Sequence, residues 1–276
     1  MLALDKRAIG VFDSGLGGLT AVKELMRILP EESIVYFGDT GRVPYGTKSE
    51  DTIVKYTMGD IEFLRTFDLK AIIIACGTAS TIALSKVKDK YDVPIIGVVE
   101  AACRAATTKT KNKKIGIIGT PGTIKSGMYE RFIKAIDGDI FTVSAACPLF
   151  VPLVEEGWTD NEVSRMTAKE YLEPIKAAGV DTLILGCTHY PLLEKTIAEF
   201  MGDDVTLINP GAETAREVKK WLGDKDMLSD SAEDEQYRFF SSDSVESFTC
   251  LGSRFLERKI DGKVQRVDIE QYTRGQ

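Results

Sequence analysis

The sequence has few of the residues that mark a metal site, a disulfide framework or a membrane segment. Its 276 residues include one histidine and five widely scattered cysteines, with no C-x-x-C pair. This pattern predicts reduced thiols, and it indicates neither disulfides nor a zinc or other metal site. The start of the chain carries charges, unlike a signal peptide, and no apolar run approaches the length that a bilayer requires. We therefore expect a cytoplasmic protein without a membrane partner.

Positive charge is also scarce. The chain has 42 acidic and 35 basic residues, which gives a formal net charge of −7. Nucleic acids and anionic membranes are bound by clustered lysine and arginine, and the one basic cluster, "KTKNKK" at residues 109–114, is typical of a solvated loop. We predict no nucleic-acid partner.

Short apolar runs alternate with longer stretches of helical period. The runs that we predict as strands lie at residues 8–13, 33–38, 71–76, 93–99, 114–119, 139–146 and 181–186. A late strand is predicted near residue 237, and a capping-box pattern predicts a helix that begins at Thr159. Strands that are apolar on both faces and alternate with helices predict an α/β fold with mostly parallel sheets flanked by helices. The restart after the basic loop predicts two similar α/β units.

Two stretches place a cysteine at the end of a buried strand. "ACGTAS" begins at residue 75 and "GCTHYP" at residue 186. Two other stretches, "FDSGLGG" at 12–18 and "GDTGRVPYG" at 38–46, end apolar runs in the same way. Ligands of parallel α/β sheets collect at the carboxyl ends of the strands. We expect all four stretches to face one cleft between the units.

The two cysteines favour proton-transfer chemistry. A thiol that starts a helix is expected to have a lowered pKa, because the helix dipole stabilises the thiolate. Two thiols that face one carbon can remove a proton from one face and deliver a proton to the other, which inverts a stereocentre. Covalent attack needs one nucleophile and leaves the second cysteine unexplained. Ser14, Thr78 and Thr188 are candidates for binding a substrate carboxylate. The alternative is that Cys76 and Cys187 are ordinary core residues.

Three further residues allow two interpretations from spacing alone. His189, two residues after Cys187, either orients or protonates a neighbouring group or is hydrogen-bonded structure. Asp13 is a site residue or the N-cap of the helix after Gly18, and Glu155 is a site residue or solvated surface.

No cofactor motif is complete. "GLGGLT" at 15–20 lacks the third glycine of a dinucleotide fingerprint, and "GTPGTIKS" at 119–126 has Ile124 where a phosphate loop requires glycine. We predict no cofactor, and a helix N-terminus is the simpler interpretation of the second stretch.

Six ordered blocks resemble the glutamate racemase family, over roughly residues 8–258. The blocks are "IGVFDSGLGGLTAV", "YFGDTGRVPYGTKS", "ACGTAS", "GTPGTIKSGMYE", "CPLFVPLVEEG" and "LGCTHYPLL". The resemblance implies cofactor-independent interconversion of L- and D-glutamate, two pseudo-symmetric α/β domains with the active site in the cleft between them, and supply of D-glutamate for peptidoglycan.

The resemblance also implies residue roles. Cys76 would take the α-proton of D-glutamate with help from Asp13, and Cys187 would take that of L-glutamate with help from Glu155 and His189. The residues implied in substrate binding are Asp13, Ser14, Tyr45, Gly46, Gly77, Thr78, Thr188 and His189.

The resemblance implies a chain that crosses between domains twice. The first domain would combine residues 1–98 with 210–276, and the second would comprise residues 99–209. Such proteins are commonly dimers, so a homodimer is expected.

One position departs from the family pattern. The family usually has asparagine where this chain has Gly77. A lost hydrogen bond to a charged substrate group costs about 1.5–3 kcal/mol, unless a backbone N–H or a water replaces it. Two alternatives to glutamate racemisation therefore stay open: a racemase of another acidic amino acid such as aspartate, or a catalytically impaired binding or regulatory homologue.

Overall fold

The strands form two parallel sheets in the computed structural model of the protein. The structure describes residues 5–230, 236–260 and 262–273. The strands are β1 (Ala8–Asp13), β2 (Ile34–Gly38), β3 (Leu69–Ile74), β4 (Ile95–Gly97), β5 (Lys114–Gly119), β6 (Phe141–Ala146), β7 (Thr182–Gly186), β8 (Thr206–Ile208), β9 (Tyr237–Ser241) and β10 (Val264–Arg266). The first sheet has the order β10-β9-β2-β1-β3-β4 and the second β6-β5-β7-β8, and the recorded pairings are parallel. The predicted α/β fold is confirmed.

Helices connect the strands and cover the sheets. They are α1 (Leu19–Ile28), α2 (Glu50–Leu64), α3 (Gly77–Ile82), α4 (Leu84–Val87), α5 (Val98–Lys109), α6 (Pro121–Ser126), α7 (Met128–Ile136), α8 (Phe150–Glu155), α9 (Glu162–Ala177), α10 (Glu194–Met201), α11 (Pro210–Asp224) and α12 (Val245–Leu256). Because helices cover the sheets, β1, β2, β3 and β7 are buried along their whole length. Within the described ranges, no helix is both long and apolar enough to cross a bilayer.

The two sheets share one strand order. In the first, β2-β1-β3-β4 repeats the relative order of β6-β5-β7-β8 in the second, and β9 and β10 extend the first sheet at one edge. Cys76 follows β3 and Cys187 follows β7, so each cysteine comes after the third strand of its own set. Parallel strands with the same order bring these two strand ends to equivalent places.

The strands of the first sheet lie within residues 8–97 and 237–266, and those of the second lie within residues 114–208. The predicted domain boundaries, after residues 98 and 209, therefore fall between strands of different sheets. The division into domains itself stays a prediction.

Several predicted element boundaries are wrong: those of β3 and β6 differ by two residues, and two further errors involve helices α9 and α5. The helix expected to begin at Thr159 is α9, whose N-cap is Asn161: the Asn161 side chain accepts the Ser164 N–H, and the Ser164 hydroxyl accepts the Asn161 N–H. The apolar run at 93–99 contains only the short strand β4, because helix α5 already begins at Val98. Periodicity does not separate a buried strand from the first turn of a buried helix, which explains the second error.

Candidate active site

A cavity of about 330 Å³ opens where the carboxyl ends of both sheets meet. Its wall contains ten of the residues predicted from the sequence: Ser14, Tyr45, Gly46, Cys76, Gly77, Thr78, Glu155, Cys187, Thr188 and His189. Asp13 is buried behind the wall, where the Thr188 hydroxyl donates to its Oδ1 at 3.4 Å. The structure thus brings the predicted residues together, while their roles stay predictions.

Cys76 is the N-cap of α3 and is buried. Its Sγ accepts the Ala79 N–H at 3.4 Å and donates to the Ser14 hydroxyl at 3.5 Å. Burial raises the pKa of the Cys76 thiol to about 12, and the negative charge of Asp13 acts in the same direction. The prediction of a lowered pKa at this cysteine is therefore wrong. Desolvation outweighs the dipole of a helix that is only six residues long.

Cys187 has a different neighbour. Its Sγ lies 4.0 Å from Nδ1 of His189, and Nε2 of that ring lies 3.1 Å from Oε1 of Glu155. Burial by itself would lower the pKa of His189, but the contacts to Cys187 and Glu155 raise it to about 10. A protonated imidazole in this position can donate one hydrogen bond to the Cys187 sulfur and another to the Glu155 carboxylate. Glu155 is half-exposed, yet it holds this histidine, so it is more than solvated surface.

Asp13 connects the two cysteine environments. Helix α1 has Gly18 as its N-cap, so Asp13 is not the N-cap of that helix. Its Oδ2 accepts the Gly15 N–H at 3.0 Å, and its Oδ1 faces the hydroxyl that follows Cys187 in the chain. Burial raises the pKa of Asp13, while the charge of His189 opposes that rise.

Three threonine hydroxyls form a cluster at one side of the cavity. The Thr78 Oγ1 lies 2.9 Å from that of Thr120 and 3.3 Å from that of Thr123, and the last two are 3.0 Å apart. Thr120 also lines the cavity and caps α6. Thr120 was not predicted from the sequence, because "GTPGTIKS" was interpreted only as an incomplete phosphate loop or a helix N-terminus. The signal was its position: Thr120 follows β5 as Ser14 follows β1.

The hydroxyl of Tyr45 is used within the protein. It donates to Asp39 Oδ2 at 2.5 Å and to Asp60 Oδ2 at 2.9 Å, and Arg42 bridges the same two carboxylates at 2.6 and 2.8 Å. Burial raises the pKa of Asp60 well above its ordinary value. This network holds the Tyr45 hydroxyl within the protein. A ligand in the cavity can therefore contact the Tyr45 ring and the adjoining backbone of Gly46. Asp60 belongs to α2 and was not foreseen from the sequence.

Gly77 lies where the two cysteine-bearing strand ends touch. A Cβ at this position would lie 2.6 Å from the carbonyl oxygen of Gly186, which directly precedes Cys187. A Cβ at Gly17 would lie 2.1 Å from Oγ1 of Thr188. Both distances are shorter than van der Waals contact allows, so the absence of these side chains permits the close approach of the two sheets.

The wall also has an apolar part. Pro148, Val151 and Pro152 contribute to it from the segment around α8, and Val43, Pro44 and Pro121 contribute from other loops. In the part of the chain that the structure describes, no group of three or more His, Cys, Asp or Glu side chains is placed to hold a metal ion.

Comparisons with known proteins show which family the chain resembles. The family model described as Asp/Glu/hydantoin racemase matches residues 18–218. A glutamate racemase from Geobacter metallireducens is 47% identical over 264 residues, covering 96% of this chain and 97% of that protein. A glutamate racemase from Neisseria meningitidis serogroup B is 46% identical over 265 residues, with coverages of 96% and 97%.

Solved structures show the same relationship. The glutamate racemase of Francisella tularensis, solved in complex with D-glutamate, superposes with a TM-score of 0.90 at 39% identity, covering 98% of this chain and 100% of that one. An aspartate racemase from Picrophilus torridus gives a TM-score of 0.55 at 20% identity over 79% of this chain and 94% of that one, which shows a shared fold alone.

Proposed function

Because the chain belongs to the glutamate racemases within the Asp/Glu/hydantoin racemase family, we propose that it interconverts L- and D-glutamate by two-base proton transfer between Cys76 and Cys187. One observation carries this mechanism: the two thiols follow topologically equivalent strands of different sheets and line one cavity. The proposal requires no bound cofactor.

The reaction is one proton transfer at each face of the α-carbon. The thiolate of one cysteine takes the α-proton, and the C–H electron pair passes into the neighbouring carboxylate as an enediolate-like intermediate. The thiol of the other cysteine then protonates the carbon from the opposite face. The first cysteine ends as a thiol and the second as a thiolate, so the next turnover runs in the reverse direction unless protons exchange with water.

The surroundings of the two thiols differ. The protonated His189 adjoins the sulfur of Cys187, while the buried Cys76 holds its proton. We therefore propose that Cys187 takes the α-proton of L-glutamate while Cys76 acts as the acid. Thr78, Thr188 and the backbone N–H of Gly77 are positioned to stabilise the charge that develops on the substrate carboxylate.

The decisive experiment follows L-glutamate with the purified protein in D₂O, by circular dichroism for inversion and by NMR for deuterium at the α-carbon. We expect the chiral signal to decay as deuterium enters the α-position. An intact signal and an intact α-proton with L-glutamate, together with exchange of L-aspartate, would replace glutamate by aspartate as the substrate.

A third outcome distinguishes the non-enzymatic alternative. If neither amino acid exchanges its α-proton, while glutamate still protects Cys76 or Cys187 from alkylation, the cleft binds without catalysis. Cys250, which is exposed and lies outside the cavity, provides the internal control for alkylation.

The proposal extends to the biological role, the location and the assembly of the protein. The D-glutamate formed would supply peptidoglycan synthesis, the free thiols suit the reducing cytoplasm, and the protein would act as a homodimer. The homodimer is checked by sedimentation analysis of the purified protein.

A further inference from the structure

A second cavity, of about 720 Å³, lies directly beside the active-site cavity. The two share Gly46, Thr47 and Pro121 in their walls. The larger one also contains hydroxyl groups, among them those of Ser49 and Ser126. The proposed mechanism does not use this space.

The second cavity is basic within an acidic protein. Four cationic side chains line it, Lys48, Lys86, Lys125 and Arg131, against the single carboxylate of Glu50. Lys86 pairs with Glu50 at 2.5 Å. Lys48, Lys125 and Arg131 have no carboxylate partner among the described residues, in a chain whose formal net charge is −7.

Both sheets contribute to this basic cavity. Lys48 stands before α2, in the segment between β2 and β3, while Lys125 and Arg131 lie on α6 and α7, between β5 and β6. Its boundary with the active-site cavity is a contact between glycines. A Cβ at Gly122 would lie 2.9 Å from the carbonyl oxygen of Gly46, so backbone meets backbone there. An anion that crosses from one cavity to the other has to pass between these two backbone segments.

We infer that the basic cavity is an antechamber that concentrates the glutamate anion before it passes between Gly46 and Gly122 into the active site. The inference rests on the proposed function, because glutamate carries a net negative charge and the protein as a whole repels anions. Charges attract across about 10 Å at moderate ionic strength, which spans adjoining cavities. The three cations are solvent-exposed, so they attract an anion without holding it tightly.

The first test removes the charge of the antechamber. The variant K48Q/K125Q/R131Q is compared with K111Q/K134Q/K169Q, whose exposed lysines lie outside the cavity. Each variant loses three positive charges, so both change from −7 to −10. We expect the antechamber variant alone to raise KM for glutamate about three- to tenfold at low salt, with kcat unchanged. The difference should nearly vanish at about 0.5 M salt.

Two results would overturn the inference. An equal rise in KM for both triple variants would assign the effect to net charge, and an unchanged KM in the antechamber variant would remove any role in capture. A fall in kcat confined to the antechamber variant would also contradict it, because it would place these side chains in the chemical step.

The second test does not depend on racemisation. Cys187 is alkylated with iodoacetate, an anion, and with iodoacetamide, its neutral analogue of similar size. In the antechamber variant we expect the iodoacetate-to-iodoacetamide rate ratio at Cys187 to fall about three- to tenfold at low salt. The exposed Cys250 should show no change. An unaltered ratio at Cys187 rejects the antechamber whether or not the protein racemises glutamate, whereas a lowered ratio without racemisation rejects only the proposed function.

Discussion

Cys76 and Cys187 occupy the same place in the strand order of their sheets, but their neighbours differ in charge. Around Cys76 lie a hydroxyl, a backbone N–H and, nearby, the carboxylate of Asp13. Around Cys187 lies an imidazole that is held in turn by Glu155. The first environment keeps a thiol protonated, and the second places a protonated imidazole beside a thiol. The repeated fold therefore supplies matching positions, and the side chains around them supply different charges.

This difference is what a two-base reaction needs. A racemase must present one base and one acid to the same carbon at the same moment. Two identical environments would hold both thiols in the same state, and most molecules would then be idle. The two sides of this cleft differ in charge, and Asp13, which contacts the Cys187 side through Thr188, couples the two environments.

The largest expected effect comes from removing one thiol at a time. C76A and C187A should each lose racemisation by about 10³-fold or more, because no group remains to serve one face of the carbon. In D₂O, C76A should still exchange the α-proton of L-glutamate without inverting it, and C187A should do the same with D-glutamate. NMR with each enantiomer measures the exchange.

The control for this pair is C103A, which removes a buried cysteine outside the cavity. It should keep racemisation near the wild-type rate. Exchange of both enantiomers by either single-thiol variant would contradict the assignment of one face to each cysteine.

The strand ends and both cysteines were predictable, because apolar runs that stop at Gly, Thr or Ser are visible in the sequence. The pKa of Cys76 was not predictable in the same way, since it depends on how deeply the packed sheets bury the thiol. Thr120 and Asp60 were missed for a related reason. Their contacts join residues 42 and 15 positions apart, and only the folded chain brings these partners together.

The next effect concerns the histidine of the Cys187 side. H189N should lower kcat/KM about 10- to 100-fold, because it removes the protonated imidazole beside Cys187, the residue proposed to take the α-proton of L-glutamate. The loss must be equal in both directions, since L- and D-glutamate have equal free energies. The difference between the two cysteines should appear in the deuterium isotope effects instead. The isotope effect measured with α-deuterated L-glutamate should rise in H189N, because the proton transfer to Cys187 becomes slower.

The matched variant on the other side is D13N. It should raise the isotope effect with α-deuterated D-glutamate and leave that with L-glutamate unchanged or smaller. Equal isotope effects with both enantiomers in both variants would mean that these residues do not serve separate faces.

The glycine at the junction of the two sides gives a smaller effect. In the wild-type structure, a Cβ placed at Gly77 would lie 2.6 Å from the Gly186 oxygen. The two strand ends must therefore move apart in G77A. We expect kcat to fall about tenfold and the free energy of unfolding to fall by about 1–3 kcal/mol. G138A is the control, since the nearest atom to a Cβ there lies 3.9 Å away. Wild-type activity in G77A, or a gain in G77N, would show that the cleft opens without cost.

The smallest effect is a pH dependence of stability that separates the two sides. The folded protein raises the pKa of His189 from 6.5 to about 10. The protonated histidine therefore adds its full contribution to the free energy of unfolding below pH 6.5, and this contribution is lost as the pH rises towards 10. The pKa of Cys76 rises from 9.0 to about 12, so its contribution is lost only between those higher values. Between pH 7 and 9 we therefore expect Tm to decline by about 2–6 °C less in H189N than in the wild type. C76S should leave the decline of Tm in this range unchanged and should alter it only at higher pH. Thermal melts of both variants and the wild type across this range measure the difference. A decline in H189N as steep as that of the wild type would mean that His189 is not protonated beside Cys187 in the folded protein.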